Sequence, residues 1–290
     1  MLRHAITSVQ RQTFADLEMI IVGDACTDDT EQVVASMNDG RLRWYNRSEN
    51  HGSQGLPNND GLAMARGRYV AYLGHDDLWY PTHLETLVAA IEASQANLAY
   101  ALTLWLGMKG APYRVLRGFE PPGGHHRDAF VPPSSIMHQR KLGLEVGWRD
   151  YREIVRAPDA EFLSRLWDAG GRFVSTGKLT VFKFPSTSRP GAYVEKPSHE
   201  QAAYLQRMAA EPDFIERELL ATLEGTAVPL LAADGDAPGS LVRMYRQARG
   251  LDPVPASELA GRTRAWRFVR RQFRPAKVAV RRVAGWIDAI

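Results

Sequence analysis

Short apolar runs alternate with amphipathic segments along the first hundred residues. Residues 19–22 and 69–73 are continuous apolar stretches that end at polar, glycine-bearing turns, which is typical of strands buried on both faces of a parallel sheet. After Pro81 the apolar side chains instead recur every three or four residues, which predicts an amphipathic helix. The alternation of strands and helices predicts an α/β fold with right-handed crossovers.

The pattern changes twice further along the chain. Residues 107–133 are rich in Gly, Pro, His and Arg, which predicts a long loop or an irregular hairpin, and a last strand is expected at residues 179–184. Beyond residue 193 the apolar spacing is helical. We therefore predict an α/β domain over residues 1–192, followed by a helical, basic extension over residues 193–290.

Composition places the chain among globular proteins, since 44% of its residues are hydrophobic and 24% are charged. The longest apolar stretch, residues 98–108, is shorter than the roughly 20 residues that cross a bilayer. Cys26 is the single cysteine and has no partner for an internal disulfide, which fits a reducing compartment. We expect a cytoplasmic protein.

The net charge of +3 conceals an uneven distribution. Residues 258–290 hold nine Lys and Arg against two acidic residues, so this tail carries +7 and the remainder −4. Apolar positions in the tail fit two amphipathic helices, for which two interpretations stay open: peripheral attachment to an anionic membrane surface, or packing on the core with a solvated basic face. The acidic remainder argues against a nucleic-acid partner.

Carboxylates follow two of the predicted strands. Asp24 comes after residues 19–22, and Asp76 and Asp77 come after residues 69–73. Ligands of open α/β sheets bind at the carboxyl ends of the strands, so these side chains are expected to face one crevice. Two adjacent carboxylates suit a hard cation such as Mg²⁺ or Mn²⁺, although from spacing alone the pair is equally well explained as a cap on the next helix.

Several segments together resemble glycosyltransferase family 2, and their common order makes the resemblance specific where each alone is weak. The resemblance covers roughly residues 1–190. The segments are residues 8–13, 17–30, 50–52, 59–61, 65–79 and 158–166. It implies a Rossmann-like GT-A fold with a mostly parallel central sheet flanked by helices, and an inverting transfer of sugar from a nucleoside-diphosphate sugar to a hydroxyl of a glycan or lipid-linked acceptor.

The resemblance also implies roles for individual residues. Asp24 and Asn50 are expected to bind the nucleotide-sugar, with Asp24 on the base. Asp76 is expected beside the ribose and near the metal, and Asp77 on the Mn²⁺ or Mg²⁺ ion. Asp159 is implied as the general base, whereas the residue pattern alone favours a helix N-cap at this position.

The chain departs from the family in three places. Many members carry Asp where Gly23 and Gly74 stand, and they open with an apolar strand that would precede Met1, so we expect the true start to lie upstream. These departures motivate an alternative function, a catalytically silent GT-A scaffold that acts as a binding or assembly subunit. A nucleotidyltransferase is disfavoured, because the first turn has no glycine-rich loop bearing a lysine.

Overall fold

A computed structural model describes residues 1–107, 114–119, 125, 127, 131–185 and 199–224. The helices are α1 (Leu2–Gln10), α2 (Thr30–Ala35), α3 (Gly55–Met64), α4 (His83–Ser94), α5 (Arg140–Val146), α6 (Pro158–Asp168), α7 (His199–Ala210) and α8 (Phe214–Glu224). The strands are β1 (Met19–Gly23), β2 (Leu42–Asn46), β3 (Tyr69–Ala71), β4 (Leu78–Trp79), β5 (Leu98–Leu106), β6 (Arg114–Arg117), β7 (Ile136–Gln139) and β8 (Phe173–Lys183).

The strands form two sheets. A six-stranded sheet has the order β3-β7-β5-β8-β4, with β6 pairing on β5, and a separate two-stranded sheet joins β1 to β2. Within the described residues β1-β2 and β5-β8 are parallel, whereas the other four pairings are antiparallel. The predicted mixture of helices and sheet is present, but the expectation of a mostly parallel sheet is wrong for these pairings. The strands that reverse the direction, β4, β6 and β7, have four residues or fewer, too few to produce a recognisable pattern.

Strand β5 lies at the centre of the core. Residues 98–102 are fully buried, because β7 and β8 pair with both edges of β5 and helices cover both faces. Alternate side chains face opposite sides. Leu98 and Tyr100 belong to the cluster that includes Phe162 of α6, while Ala99 and Ala101 belong to the cluster that includes Leu87 of α4. This burial fixes the positions of α4 and α6 on opposite faces of the sheet.

The first two helices of the predicted extension belong to the same compact unit as the sheet, which runs from Met1 to Ala227. Arg11, directly after α1, donates to the carbonyl of Leu205 in α7 at 3.0 Å, and Arg114 of β6 forms an ion pair with Glu218 of α8. The boundary at residue 193 stays a prediction. The basic tail, residues 258–290, lies outside the described residues, and none of the helices that are described is long and apolar enough to cross a membrane.

Helix α5 packs closely on a buried histidine. A Cβ atom added to Gly143 would approach the imidazole of His138 to 2.9 Å at Nδ1 and 3.1 Å at Nε2, and His138 is itself fully buried. Gly40, in the turn before β2, has no heavy atom within 4 Å of the corresponding position.

The substitution Gly143→Ala is therefore expected to lower the free energy of unfolding by about 1–3 kcal/mol, because overpacking against a fixed ring outweighs the gain in helix propensity. Urea unfolding followed by circular dichroism measures the change. Gly40→Ala is the matched control and should leave the midpoint unchanged, so equal midpoints for both variants would contradict the packing described above.

Candidate active site

A single cavity of about 2050 Å³ joins the predicted residues. It is lined by the turns that follow β1 and β3, by the first turn of α6 and by the end of β8. The site residues that line it are Asp24, Asn50, Asp76, Asp159 and Lys183. The cavity also extends along α1, β1 and β3, beyond these site residues. Asp77 is the one predicted site residue that does not line the cavity.

Asp24 fixes the loop that follows β2. Its carboxylate accepts hydrogen bonds from the backbone N–H of His51 at 2.9 Å and of Gly52 at 2.8 Å, and Nε of Arg47 lies 3.5 Å away. Asn50 donates through Nδ2 to the backbone carbonyl of Asp24 at 2.7 Å. The two residues are therefore held rigidly together at the edge of the cavity, and their nucleotide-binding roles stay predictions.

Asp77 is fully buried, and both of its carboxylate oxygens are engaged by protein groups. Oδ2 accepts from Ser134 Oγ at 2.6 Å and from Lys183 Nζ at 2.9 Å, while Oδ1 accepts from the backbone N–H of Phe184 at 3.2 Å. These contacts compensate the buried charge. They leave Asp77 poorly placed to bind a ligand in the cavity.

Asp76 faces the cavity instead and is 8% exposed. Burial, and next the charge of Asp77, raise the pKa of its carboxyl above the ordinary value. The pair is packed against Gly74, where an added Cβ would lie 2.9 Å from Asp76 Oδ1. Neither carboxylate caps the following helix, because α4 begins at His83 and has Thr82 at its N-cap position. The helix-cap interpretation of the pair is therefore wrong.

A divalent cation fits this arrangement through Asp76. The described residues contain no group of three His, Cys, Asp or Glu side chains that could hold a metal by themselves. Mg²⁺ and Mn²⁺, however, often use one or two carboxylates together with phosphate oxygens and water, and a nearby cation would relieve the repulsion that Asp76 experiences. The assignment of Asp77 as a metal ligand stays a prediction, and the contacts favour Asp76.

Asp159 lies in the first turn of α6, next to the cavity. The N-cap position of α6 is Ala157, and Pro158 precedes Asp159, so the carboxylate is not the N-cap that the pattern favours. Its Oδ1 accepts from the backbone N–H of Ala160 at 2.9 Å. Burial raises the pKa of the carboxyl, which strengthens it as a proton acceptor.

Lys183, at the end of β8, was not predicted from the sequence. Burial opposes its charge, but the attraction of Asp77 and Asp76 outweighs burial, and the pKa of the ammonium group is raised. Nζ also lies 6.0 Å from the centre of the Trp105 ring. One signal was available: Lys183 is a single charge within the apolar run of residues 179–184.

A buried chain of hydrogen bonds lies against α6 and supports it. Trp148 Nε1 donates to the Tyr72 hydroxyl at 3.1 Å, and that hydroxyl lies 3.0 Å from His138 Nε2. His138 Nδ1 lies 2.9 Å from the carbonyl of Gln139, which can accept but not donate. The proton of the neutral imidazole therefore belongs on Nδ1, and Nε2 accepts from Tyr72. Trp148 in turn stacks on Phe162 of α6, with ring centres 4.2 Å apart.

From this chain of hydrogen bonds we expect the stability of the protein to fall in acid. Burial lowers the pKa of His138 from 6.5 to about 4, so the unfolded chain takes up the proton first as the pH falls. The stability that neutral His138 contributes is complete above pH 6.5 and is lost between pH 6.5 and 4, at up to about 1.4 kcal/mol per pH unit. Urea unfolding at pH 7, 6 and 5 measures this slope. The variant His138→Gln should show a shallower slope, and an unchanged slope would contradict the assignment.

Comparison with known proteins identifies the family and the fold. The family model described as "Glycosyl transferase family 2" matches residues 1–151, which is more than half of the chain. The chain belongs to glycosyltransferase family 2. The solved structure of S. aureus TarS 1-349 in complex with UDP-GlcNAc is similar with a TM-score of 0.54 at 20% identity, over 63% of this chain and 54% of that chain. This likeness confirms the GT-A fold.

Two curated relatives are similar over shorter segments. The Escherichia coli UDP-Glc:alpha-D-GlcNAc-diphosphoundecaprenol beta-1,3-glucosyltransferase WfaP is 30% identical over 96 residues, which are 33% of this chain and 38% of the relative. The Campylobacter jejuni GalNAc(5)-diNAcBac-PP-undecaprenol beta-1,3-glucosyltransferase is 38% identical over 104 residues, which are 35% of this chain and 32% of the relative. The matched segments thus span 38% of one relative and 32% of the other, about a third of each.

Proposed function

We propose that the chain is a metal-dependent, inverting glycosyltransferase that moves a sugar from a nucleoside-diphosphate sugar to a hydroxyl of a lipid-linked glycan acceptor. The observation that carries the proposal is the single cavity that brings together Asp24, Asn50, Asp76 and Asp159. These residues come from distant parts of the sequence. A chain that belongs to glycosyltransferase family 2 and collects these side chains at one cavity has the groups that this reaction requires.

The reaction assigns one proton transfer to the protein. Asp159 accepts the proton of the acceptor hydroxyl as its oxygen attacks the anomeric carbon. The bond from that carbon to the diphosphate oxygen breaks, and its electron pair leaves with the nucleoside diphosphate. Attack from the face opposite the leaving group inverts the configuration. A bound Mn²⁺ or Mg²⁺ ion, held by Asp76 and the diphosphate oxygens, would supply neutralisation of the charge on the leaving group.

The relatives suggest the chemical class of the substrates. Two of them are named for transfer to sugars linked through a diphosphate to undecaprenol, and one of those names gives UDP-glucose as the donor. We therefore propose a UDP-sugar donor and a polyprenyl-diphosphate-linked acceptor. Contact of the basic tail with an anionic membrane would place the enzyme beside such an acceptor, and this contact stays a prediction from the sequence.

Asp159→Asn is expected to reduce sugar transfer by at least about 100-fold, because the amide keeps the shape of the carboxylate but accepts no proton. The measurement is transfer from UDP-glucose to a polyprenyl-diphosphate-linked N-acetylglucosamine in the presence of Mn²⁺. Asp168→Asn at the exposed end of the same helix is the control and should retain activity within about twofold. Transfer that is indifferent to Asp159→Asn would refute the general base, whereas absence of transfer by the wild type would favour the silent scaffold.

The two adjacent carboxylates can be separated by their metal dependence. Asp76→Asn should raise the Mn²⁺ concentration that gives half-maximal activity by about tenfold or more, because it removes the carboxylate that faces the cavity, and it should leave the fold intact. Asp77→Asn should instead lower the free energy of unfolding by about 3 kcal/mol, because it leaves Lys183 without its buried partner. Manganese titration of UDP release and thermal unfolding measure the two effects. A raised Mn²⁺ requirement in Asp77→Asn but not in Asp76→Asn would identify Asp77 as the metal ligand.

The silent scaffold is motivated by Gly23 and Gly74, and the structure shows how both glycines are accommodated. A Cβ at Gly23 would meet the Trp44 ring at 2.5 Å and the Asn46 side chain at 2.6 Å. At Gly74 it would meet the Asp76 carboxylate. A larger side chain at either position would require neighbouring groups to move. The glycines therefore belong to the packing of this site.

A further inference from the structure

The ammonium group of Lys183 has binding capacity beyond its ion pair. Among the described residues it makes one hydrogen bond, to Asp77 Oδ2 at 2.9 Å, although an ammonium carries three N–H donors. The side chain is 21% exposed, and that exposure opens into the cavity. Asp77 thus holds the group in place from behind, while its other side faces the space that a ligand would occupy.

The carboxylates around Lys183 make the position of its ammonium group important for ligand binding. Lys183 interacts electrostatically with Asp76 and Asp159, the two carboxylates that face the cavity. A nucleoside diphosphate that entered beside these carboxylates would be repelled unless positive charge lay next to them. A divalent cation supplies part of that charge, and the ammonium of Lys183 is already present beside it.

Other cations that line the cavity are less well placed. Arg66 and Arg68 precede β3, whereas Asp76 follows it, so they lie at the opposite end of that strand. Each has its own carboxylate partner, Glu18 for Arg66 and Glu92 for Arg68. Arg3 of α1 also lines the cavity and donates to Ser36 Oγ at 2.9 Å. Of these four Lys and Arg side chains, Lys183 is the one that lies among the proposed catalytic carboxylates.

We propose that Lys183 is a phosphate-binding residue, whose ammonium group contacts the diphosphate of the donor and of the departing nucleotide while Asp77 fixes its position. The inference rests on the proposed function and adds a protein-borne cation to it. It assigns to the Asp77–Lys183 pair a role in ligand binding as well as in folding.

The test compares UDP with uridine, because both carry the base and ribose but UDP alone carries the diphosphate. Calorimetry measures the dissociation constant for UDP with and without Mn²⁺, and ligand-detected NMR measures it for uridine. Lys183→Met should weaken UDP binding by about tenfold or more under both conditions and change uridine binding by less than about twofold. Lys183→Arg should restore most of the affinity for UDP, because it keeps the positive charge.

Control variants separate binding from folding. Lys178 lies on the same strand, is exposed and does not line the cavity. The variant Lys178→Met should therefore bind UDP like the wild type. If Lys183→Met does not fold, the double variant Asp77→Asn with Lys183→Met removes both charges together, and it should fold and show the same selective loss of UDP.

Two results would overturn the inference: unchanged UDP affinity in a folded variant without the lysine, or equal losses for UDP and uridine. Failure of the wild type to bind UDP in the presence of Mn²⁺ is a different result. It would contradict the proposed UDP-sugar donor, and with it this inference.

Discussion

The buried ion pair between Asp77 and Lys183 determines how the two ends of the active site meet. Asp77 immediately precedes β4, which pairs antiparallel with the end of β8 through Leu78 and Phe182. The desolvation cost of the two charges is offset by the hydrogen bonds that Ser134 and Phe184 donate to the carboxylate. Because Asp77 is directed into the protein in this way, its neighbour Asp76 is left facing the cavity. One interaction therefore positions a metal-binding candidate and a cation at the same time.

The remaining site residues depend on separate supports that converge on the same cavity. Asp24 and Asn50 tie the loop after β2 to the end of β1, while the buried chain through Tyr72 and His138 supports the helix that carries Asp159. These supports share no residues. Each group can therefore keep its position when a neighbouring one is altered, so that substitutions of Asp24 and Asp159 report on binding and chemistry more than on folding.

The sequence predicted the long, strongly patterned elements and the residues at their ends. Strands β1 and β5 and helix α4 follow from continuous or periodic apolar runs, and the alternation along the chain indicated the α/β class. The short strands β4 and β7 were missed, because two to four residues carry no period, whereas β6 pairs antiparallel with β5 within the segment for which an irregular hairpin was one expectation. Lys183 was missed for a related reason: its function depends on Asp77, which is 106 residues away in sequence, and no local pattern records that distance. For the same reason the sequence could not show which of the two adjacent aspartates faces the cavity.

Charge balance explains how the proposed site can function with fewer carboxylates than many members of the family carry. Asp76, Asp77 and Asp159 contribute three negative charges, and Lys183 returns one positive charge, which leaves two. A single divalent cation balances that remainder. Additional carboxylates at Gly23 or Gly74 would raise the negative charge further and would have to displace the groups packed against both glycines. The glycines, the lysine and one cation thus form a consistent set around Asp76, Asp77 and Asp159.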